Sequence, residues 1–261
     1  MHISLSWIAD QDHALLNDDA MPGWIDHLFV ALILVAAPID SVVELRRLQR
    51  DIAEGKPNAK FDAYARIMRW QWAVAVILLV SWVLAGRSIT SLGIVVPQGT
   101  RFLLATLLVT AITFVLARQV RSARRSVEFA ATVREAAASL AFVTPSTYPE
   151  MRRFTWVGIT AGIVEELIFR GYVVWYFSAF VPLWSAIVIT AMAFGIGHAY
   201  QGLGGMLKTG AVGLFLGFLY WFSGSIWAPM FLHAATDVLQ GRLIYFASSG
   251  SATAAPIAER R

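Results

Sequence analysis

Between Trp24 and Phe246 this sequence returns repeatedly to runs of apolar residues long enough for a helix to cross a bilayer. The hydrocarbon core is about 30 Å thick, and a helix crosses it in roughly 20 residues. Seven candidate spans follow: Trp24–Val43, Trp70–Ala85, Phe102–Ala117, Phe154–Phe180, Leu183–Ala199, Thr209–Phe222 and Ile226–Phe246. Continuous apolar runs fold as helices, which bond their backbone groups within the segment. The expected fold class is an all-α polytopic membrane bundle of about seven (six to eight) transmembrane helices. The short fifth and sixth spans fit tilted or partly re-entrant helices. Only 15% of residues are charged, against about 25% in soluble domains. The 261-residue length alone would allow one or two soluble domains, but the apolar runs leave little room for them.

Charge sets the orientation. Between the first two spans lie Arg46, Arg47, Arg50, Lys56, Lys60, Arg66 and Arg69, and between the second and third only Arg87 and Arg101. Between the third and fourth lie Arg118, Arg121, Arg124, Arg125, Arg134, Arg152 and Arg153. Lys208 and the terminal Arg260 and Arg261 continue the alternation. Basic loops stay on the cytoplasmic side, so the pattern predicts N-terminus out and C-terminus in. The pI near 9.6 and net charge of +4 reflect these loops, which suit anionic lipid, and nucleic acid is rejected as a partner. There is no Lys or Arg before Arg46, so the chain lacks the basic region that opens a secretory signal. The absence of cysteine excludes disulfides, thiolate metal sites and a cysteine nucleophile.

Four parts are expected: an N-terminal segment (1–23) carrying Asp10, Asp12, Asp18 and Asp19, N-terminal membrane helices with basic loops (24–141), a polar-centred membrane core (142–247) and an Ala- and Ser-rich flexible tail (248–261). Within the second part, Arg118 to Leu140 predicts a basic amphipathic helix on the membrane surface, broken by Thr144-Pro145-Ser146-Thr147.

From Phe154 to Pro256 the carboxylates are Glu165, Glu166 and Asp237, the histidines His198 and His233, and the cations Arg170, Lys208 and Arg242. An ionisable group at mid-bilayer costs at least about 2.5 kcal/mol and is kept where it is paired or used. Glu166 and Arg170 are four apart, on one helix face in the favourable acid-before-base order. Glu165 sits about 100° around the helix, so one glutamate can be held by Arg170 while the other faces a cavity. His233 and Asp237 share a face at the same spacing, as do Phe194 and His198. Gly213 and Gly217 form a small-xxx-small pair suited to close helix packing. Taken singly, each histidine and the glycines read as packing features, and the Glu166–Arg170 pair has a structural ion pair as its plainer alternative; two carboxylates, two imidazoles and an arginine in three helices exceed what packing requires.

A carboxylate in an apolar site can act as general base toward water, and an imidazole beside it can orient that water. A second imidazole with a polar neighbour can stabilise an oxyanion. That is an outline for amide hydrolysis without a covalent intermediate. One carboxylate and two histidines, here Glu165, His198 and His233, is equally a catalytic zinc set with an open position, and the sequence leaves both open. A serine mechanism lacks its G-x-S-x-G elbow. Two non-hydrolytic readings stand beside these: a membrane scaffold or bacteriocin-immunity-type factor, and a proton-coupled transporter, the latter weakened by the absence of repeat symmetry between halves.

Glu165-Glu166-Leu167-Ile168-Phe169-Arg170 resembles the E-E-x-x-x-R motif of the CAAX protease and bacteriocin-processing (Abi) family, which includes type II CAAX prenyl endopeptidases. Phe194 to His198 is similar to its F-x-x-x-H motif and His233 to Asp237 to its third, H-x-x-x-N/D. The order matches, and the resemblance extends from about Phe142 to Tyr245. It implies a multi-helix intramembrane endopeptidase acting on a membrane-embedded or lipidated peptide or protein, of glutamate type or metallo type. Glu165 would activate water with His198, Glu166 and Arg170 would hold the first helix face, and His233 and Asp237 would stabilise the oxyanion or substrate. Relatives that process prenylated proteins tend to carry Asn where this chain has Asp237. An ionised Asp cannot donate to an oxyanion, so Asp237 acts protonated or through His233. The Abi-type pattern with dense basic loops implies a bacterial inner (plasma) membrane, where prenylated CAAX substrates are not expected.

Overall fold

The computed structural model describes residues 21–96 and 98–249. Most of the N-terminal segment and the tail beyond Ser249 lie outside the described residues, with the expectations made for them. Helices α1 (Trp24–Ala53), α2 (Ala59–Leu84) and α3 (Gly99–Ala123) lead to a short α4 (Val127–Ala136). Next comes α5 (Tyr148–Glu166), which runs without a break through a π-helical segment (Leu167–Val173) into α6 (Val174–Ser178). Helices α7 (Leu183–Gly197), α8 (Gly202–Ser223) and α9 (Trp227–Ser249) complete the bundle, with single 3₁₀ turns at Ile89–Leu92, Ala138–Leu140 and Ala199–Gln201. Among the described residues there is no strand, and the all-α polytopic class is as expected.

Among the described residues four helical stretches are long and apolar enough to cross a membrane: α1, α2, α3 and Ala199–Ser223. Helix α7 is apolar but shorter, and α5 and α9, which hold most of the ionisable groups of the second half, are not among the four. On α1 to α3 large apolar side chains face outward, including Leu32, Val35, Ile39, Val76, Val80, Leu104, Leu107 and Phe114. In water such a surface would drive aggregation; in lipid it is the expected contact.

Contacts between loops define two opposite ends of the bundle. At one, Lys60 Nζ donates to the carbonyls of Ala141 (3.1 Å) and Thr144 (2.6 Å), and Tyr64 donates to the Val143 carbonyl (2.7 Å). At the other, Arg87 grips both oxygens of Asp26 (2.8 and 2.6 Å), Tyr172 donates to the same carboxylate (2.9 Å), and the Ile226 amide donates to Gly93 (3.0 Å). The basic loops gather at the first end.

Two structural details depart from the sequence reading. The predicted surface helix from Arg118 to Leu140 is two helices: α3 continues to Ala123, and Ser126 then accepts from the Phe129 amide to start α4 afresh. A side-chain cap at that position supplies an acceptor for an otherwise unbonded helix-start donor. The second difference concerns depth. Helix α5 begins at Tyr148, where Thr147 and Glu150 form a reciprocal capping box, not at Phe154. Glu165 therefore lies about 26 Å along its helix rather than the roughly 16 Å implied by the later start.

That helix is docked on α9 along a seam of glycines. A methyl group on Gly162 would sit 2.5 Å from the Ala234 nitrogen, and one on Gly158 would lie 2.9 Å from the Asp237 Cβ. Gly241 is crossed by the Phe154 ring. As α5 advances from 154 to 162, its partners on α9 retreat from 241 to 234, so the helices are antiparallel at backbone contact. A second seam joins α7 and α8, where Gly195 meets the Met206 carbonyl and Gly217 meets Ile187. The main apolar core lies around the π-helical segment and includes Leu167, Val173, Trp175, Leu78, Trp82, Ile187, Phe194 and Ile226.

Candidate active site

The two glutamates close α5 where its winding changes. Single π turns inside α-helices occur often at functional sites; here the wide turn spans Leu167–Val173 and holds Arg170. Glu166 and Arg170 are fully buried. Arg170 Nη1 donates to Glu166 Oε1 (2.8 Å), Nη2 donates to the Gly213 carbonyl (2.9 Å), and the guanidinium lies 4.6 Å from the centre of the Phe194 ring. A side chain at Gly213 would meet both Arg170 Nη2 and Phe194, so glycine keeps this carbonyl within reach. An isolated buried guanidinium would cost several kcal/mol, and these three contacts offset that cost.

From α9, His233 Nδ1 donates to the same Glu166 oxygen at 2.8 Å. The carboxylate can only accept, so this bond places the proton on Nδ1. His233 Nε2 then faces two further carboxylates, Glu165 Oε2 at 3.9 Å and Asp237 Oδ2 at 3.7 Å. Both distances exceed a hydrogen bond. Glu165 Oε1 is held by Gln71 Nε2 of α2 (2.8 Å), while Oε2 is buried with no hydrogen-bond partner. Gln71 Oε1 and Glu166 Oε2 are also buried and unpartnered. Asp237, 37% exposed, is more open than Glu165, Glu166, Arg170 or His233.

His198 arrives at the end of α7. Its amide bonds the Gly195 carbonyl in a tightened last turn (3.0 Å), and its ring Nδ1 donates to the Phe194 carbonyl (2.8 Å). A helix end leaves carbonyls without partners, and the imidazole satisfies one of them. The bond leaves Nε2 of the neutral ring as a free acceptor. No hydrogen bond or ion pair links His198 to a carboxylate among the described residues. It joins the others through Phe194, whose ring centre lies 4.8 Å from that of His198, 5.8 Å from that of His233 and 5.0 Å from that of Phe169.

Of the six residues singled out in the sequence, five meet directly: Glu165, Glu166, Arg170, His233 and Asp237. His198 adjoins them across an aromatic ring. One participant, Gln71, escaped the sequence reading, and a second, Phe194, was named there without its role. Gln71 is a lone amide between Trp70 and Trp72 in the run opening the second span, and that isolation was its signal. Phe194 is the apolar residue of its motif, and only packing shows that it carries Arg170 and both imidazoles. Among the described residues no three His, Asp or Glu side chains form a group placed to hold a metal ion. Glu165, His198 and His233 as arranged do not make the zinc set the spacing left open.

Residues 148–239 match the family model Type II CAAX prenyl endopeptidase Rce1-like. That stretch is similar to an Rce1-like domain. This agrees with the resemblance read from the three motifs, all of which fall inside the matched residues. At the level of the family it supports a membrane peptidase of CAAX-protease type. No curated protein and no solved structure matches the chain significantly.

Proposed function

We propose that this chain is an intramembrane endopeptidase that hydrolyses a peptide bond in a membrane-associated peptide or protein with a glutamate-activated water. The observation that carries the reading is Glu165. One of its oxygens is fixed by Gln71, and the other is buried, unpartnered and turned toward His233 and the Asp237 side of α9. A general base needs this: an oriented carboxylate with one lone pair kept for the proton it takes.

In the proposed reaction Glu165 Oε2 takes a proton from water as its oxygen bonds to the scissile carbonyl carbon. The carbonyl oxygen gains negative charge, which His233 stabilises by donating from Nε2 in its doubly protonated form, with Asp237 acting through His233 or in its own protonated form. The C–N bond then breaks and the amine leaves with the proton held by Glu165. His198, with Nε2 free, shares that proton with the base. Glu166 and Arg170 do not touch substrate; they fix His233 and the helix that bears Glu165. The basic loops at one end favour that end as cytoplasmic, with N-terminus out and C-terminus in, in a bacterial inner membrane.

The test is cleavage of a membrane-peptide library, including a prenylated CAAX peptide, by the protein in lipid vesicles. Wild type, Glu165→Ala and His198→Ala are compared with and without chelator. Cleavage lost in both variants and indifferent to chelator is the expected result. Loss with chelator and rescue by zinc would replace glutamate-type catalysis with metal catalysis. Absence of cleavage by folded wild type across the library would favour the scaffold reading.

A further inference from the structure

A second built feature lies away from these residues, between the end of α3 and the second half of α9. Arg121, Arg124 and Arg125 at the foot of α3 and Arg242 of α9 line one cleft of about 610 Å³ together with Ala117, Val120 and Leu239. That volume falls in the range of small-ligand sites, roughly 300–1,000 Å³. No carboxylate pairs with any of the four arginines among the described residues; Glu128 and Glu135, on the neighbouring α4, make no ion pair with them. The Arg124 guanidinium lies over Phe246, 4.7 Å from the ring centre. Arg134 of α4 donates to the Ala247 carbonyl (3.2 Å) and ties α4 to the same stretch of α9.

An isolated surface arginine on a helix end is an ordinary solvated group. Four around one cleft, from the end of α3, the turn after it and α9, without a counter-charge among the described residues, call for an anion. The apolar wall narrows the choice. Ala117 and Val120 continue the lipid-facing run of α3, with Phe114, Leu107 and Leu104 exposed along it. The cleft therefore sits where apolar helix passes into basic loop, the depth of a lipid phosphate. We propose that it seats the headgroup of an anionic phospholipid, with the phosphate among Arg121, Arg124, Arg125 and Arg242 and an acyl chain along Ala117 and Val120. Basic pockets between helices at the membrane surface recognise anionic headgroups in this way. The proposal does not depend on the peptidase reading, since Arg242 lies more than one helical turn beyond Asp237.

The experiment is a thermal-shift titration of the full chain in neutral detergent. The probes are dihexanoyl phosphatidylglycerol, dihexanoyl phosphatidylcholine, inorganic phosphate and a hexaglutamate peptide. A saturable rise in melting temperature with phosphatidylglycerol alone is expected. Arg121→Gln/Arg124→Gln/Arg242→Gln weakens that binding on the order of a hundredfold, at about 1 kcal/mol per arginine. The corresponding triple Lys variant retains most of it, and Arg152→Gln/Arg153→Gln, outside the cleft, leaves it unchanged. If the triple Gln chain does not fold, Arg125→Gln/Arg242→Gln is measured instead, with at least a tenfold loss expected. Equal shifts with phosphatidylcholine, equal shifts with phosphate at the same concentration, tighter binding of hexaglutamate, or undiminished lipid binding by the Gln variants would each overturn the proposal.

Discussion

His233 Nδ1 lies 2.8 Å from Glu166 Oε1, an oxygen already taken by Arg170. One carboxylate oxygen thus holds a helix turn on one side and a second helix on the other, and among the described residues neither the arginine nor the histidine has another carboxylate within hydrogen-bond distance. Removing Glu166 strands a buried guanidinium, which typically costs about 3–5 kcal/mol. Glu166→Ala should lower stability by that order in detergent, read by thermal denaturation. Glu166→Ala/Arg170→Met should cost less than the two single changes together, because groups in one network do not act additively.

Glu165 is a different case, only half-buried and tied by one amide. In Glu165→Gln the new side-chain carbonyl still accepts from Gln71, so the fold should survive with a melting temperature close to wild type. Peptide hydrolysis should fall by about 10²–10⁴-fold, the contribution of a positioned general base. A Glu165→Gln chain that folds and cleaves at the wild-type rate would remove Glu165 from the mechanism.

Gln71 is predicted to be a positioning residue. Losing a hydrogen bond to a charged group costs about 1.5–3 kcal/mol, so Gln71→Ala should reduce kcat by roughly ten- to a hundredfold while KM stays within about twofold. A purely structural Gln71 would instead show itself as a lower melting temperature with kcat intact. Gln71→Asn, which keeps the amide but shortens its reach, should fall between the two.

The glycine seams can be tested against each other. Gly162→Val drives a branched side chain into the Ala234 backbone, and overpacking of this kind costs about 1–3 kcal/mol. It should also pull α9 from α5, separating His233 from Glu166, so activity should fall further than stability. Gly197→Ala, where an added methyl meets nothing within 4 Å, should stay within about 0.5 kcal/mol of wild type. Equal losses at both positions would show that helix approach is not what Gly162 provides.

The bundle was legible because hydropathy reports where helices cross lipid, and the order E-E-x-x-x-R, F-x-x-x-H, H-x-x-x-D marked the polar centre. Helix starts were less legible. The capping box at Thr147 and Glu150 lies in polar sequence before the apolar run, so an apolar threshold sees α5 only from Phe154. The same threshold misses the break at Arg124 and Arg125, because basic residues suit both a helix end and a surface helix. Gln71 lies some 94 positions from Glu165, and no local pattern announces a contact made across two helices. Nor does sequence periodicity separate a π turn from an α turn within one apolar stretch.

The wide turn at Leu167–Val173 also has a bearing on the rest of α5–α6. Each residue advances an α-helix by about 100°, so a looped-out position acts as a phase shifter between the stretches on either side. Below it, Gly158 and Gly162 address α9; at its far end Tyr172 addresses Asp26, and above it Trp175 addresses Trp82. A chain shortened by one residue here could wind as an unbroken α-helix, yet it could satisfy only one of those two walls, because its upper and lower halves would be out of register by about a quarter turn.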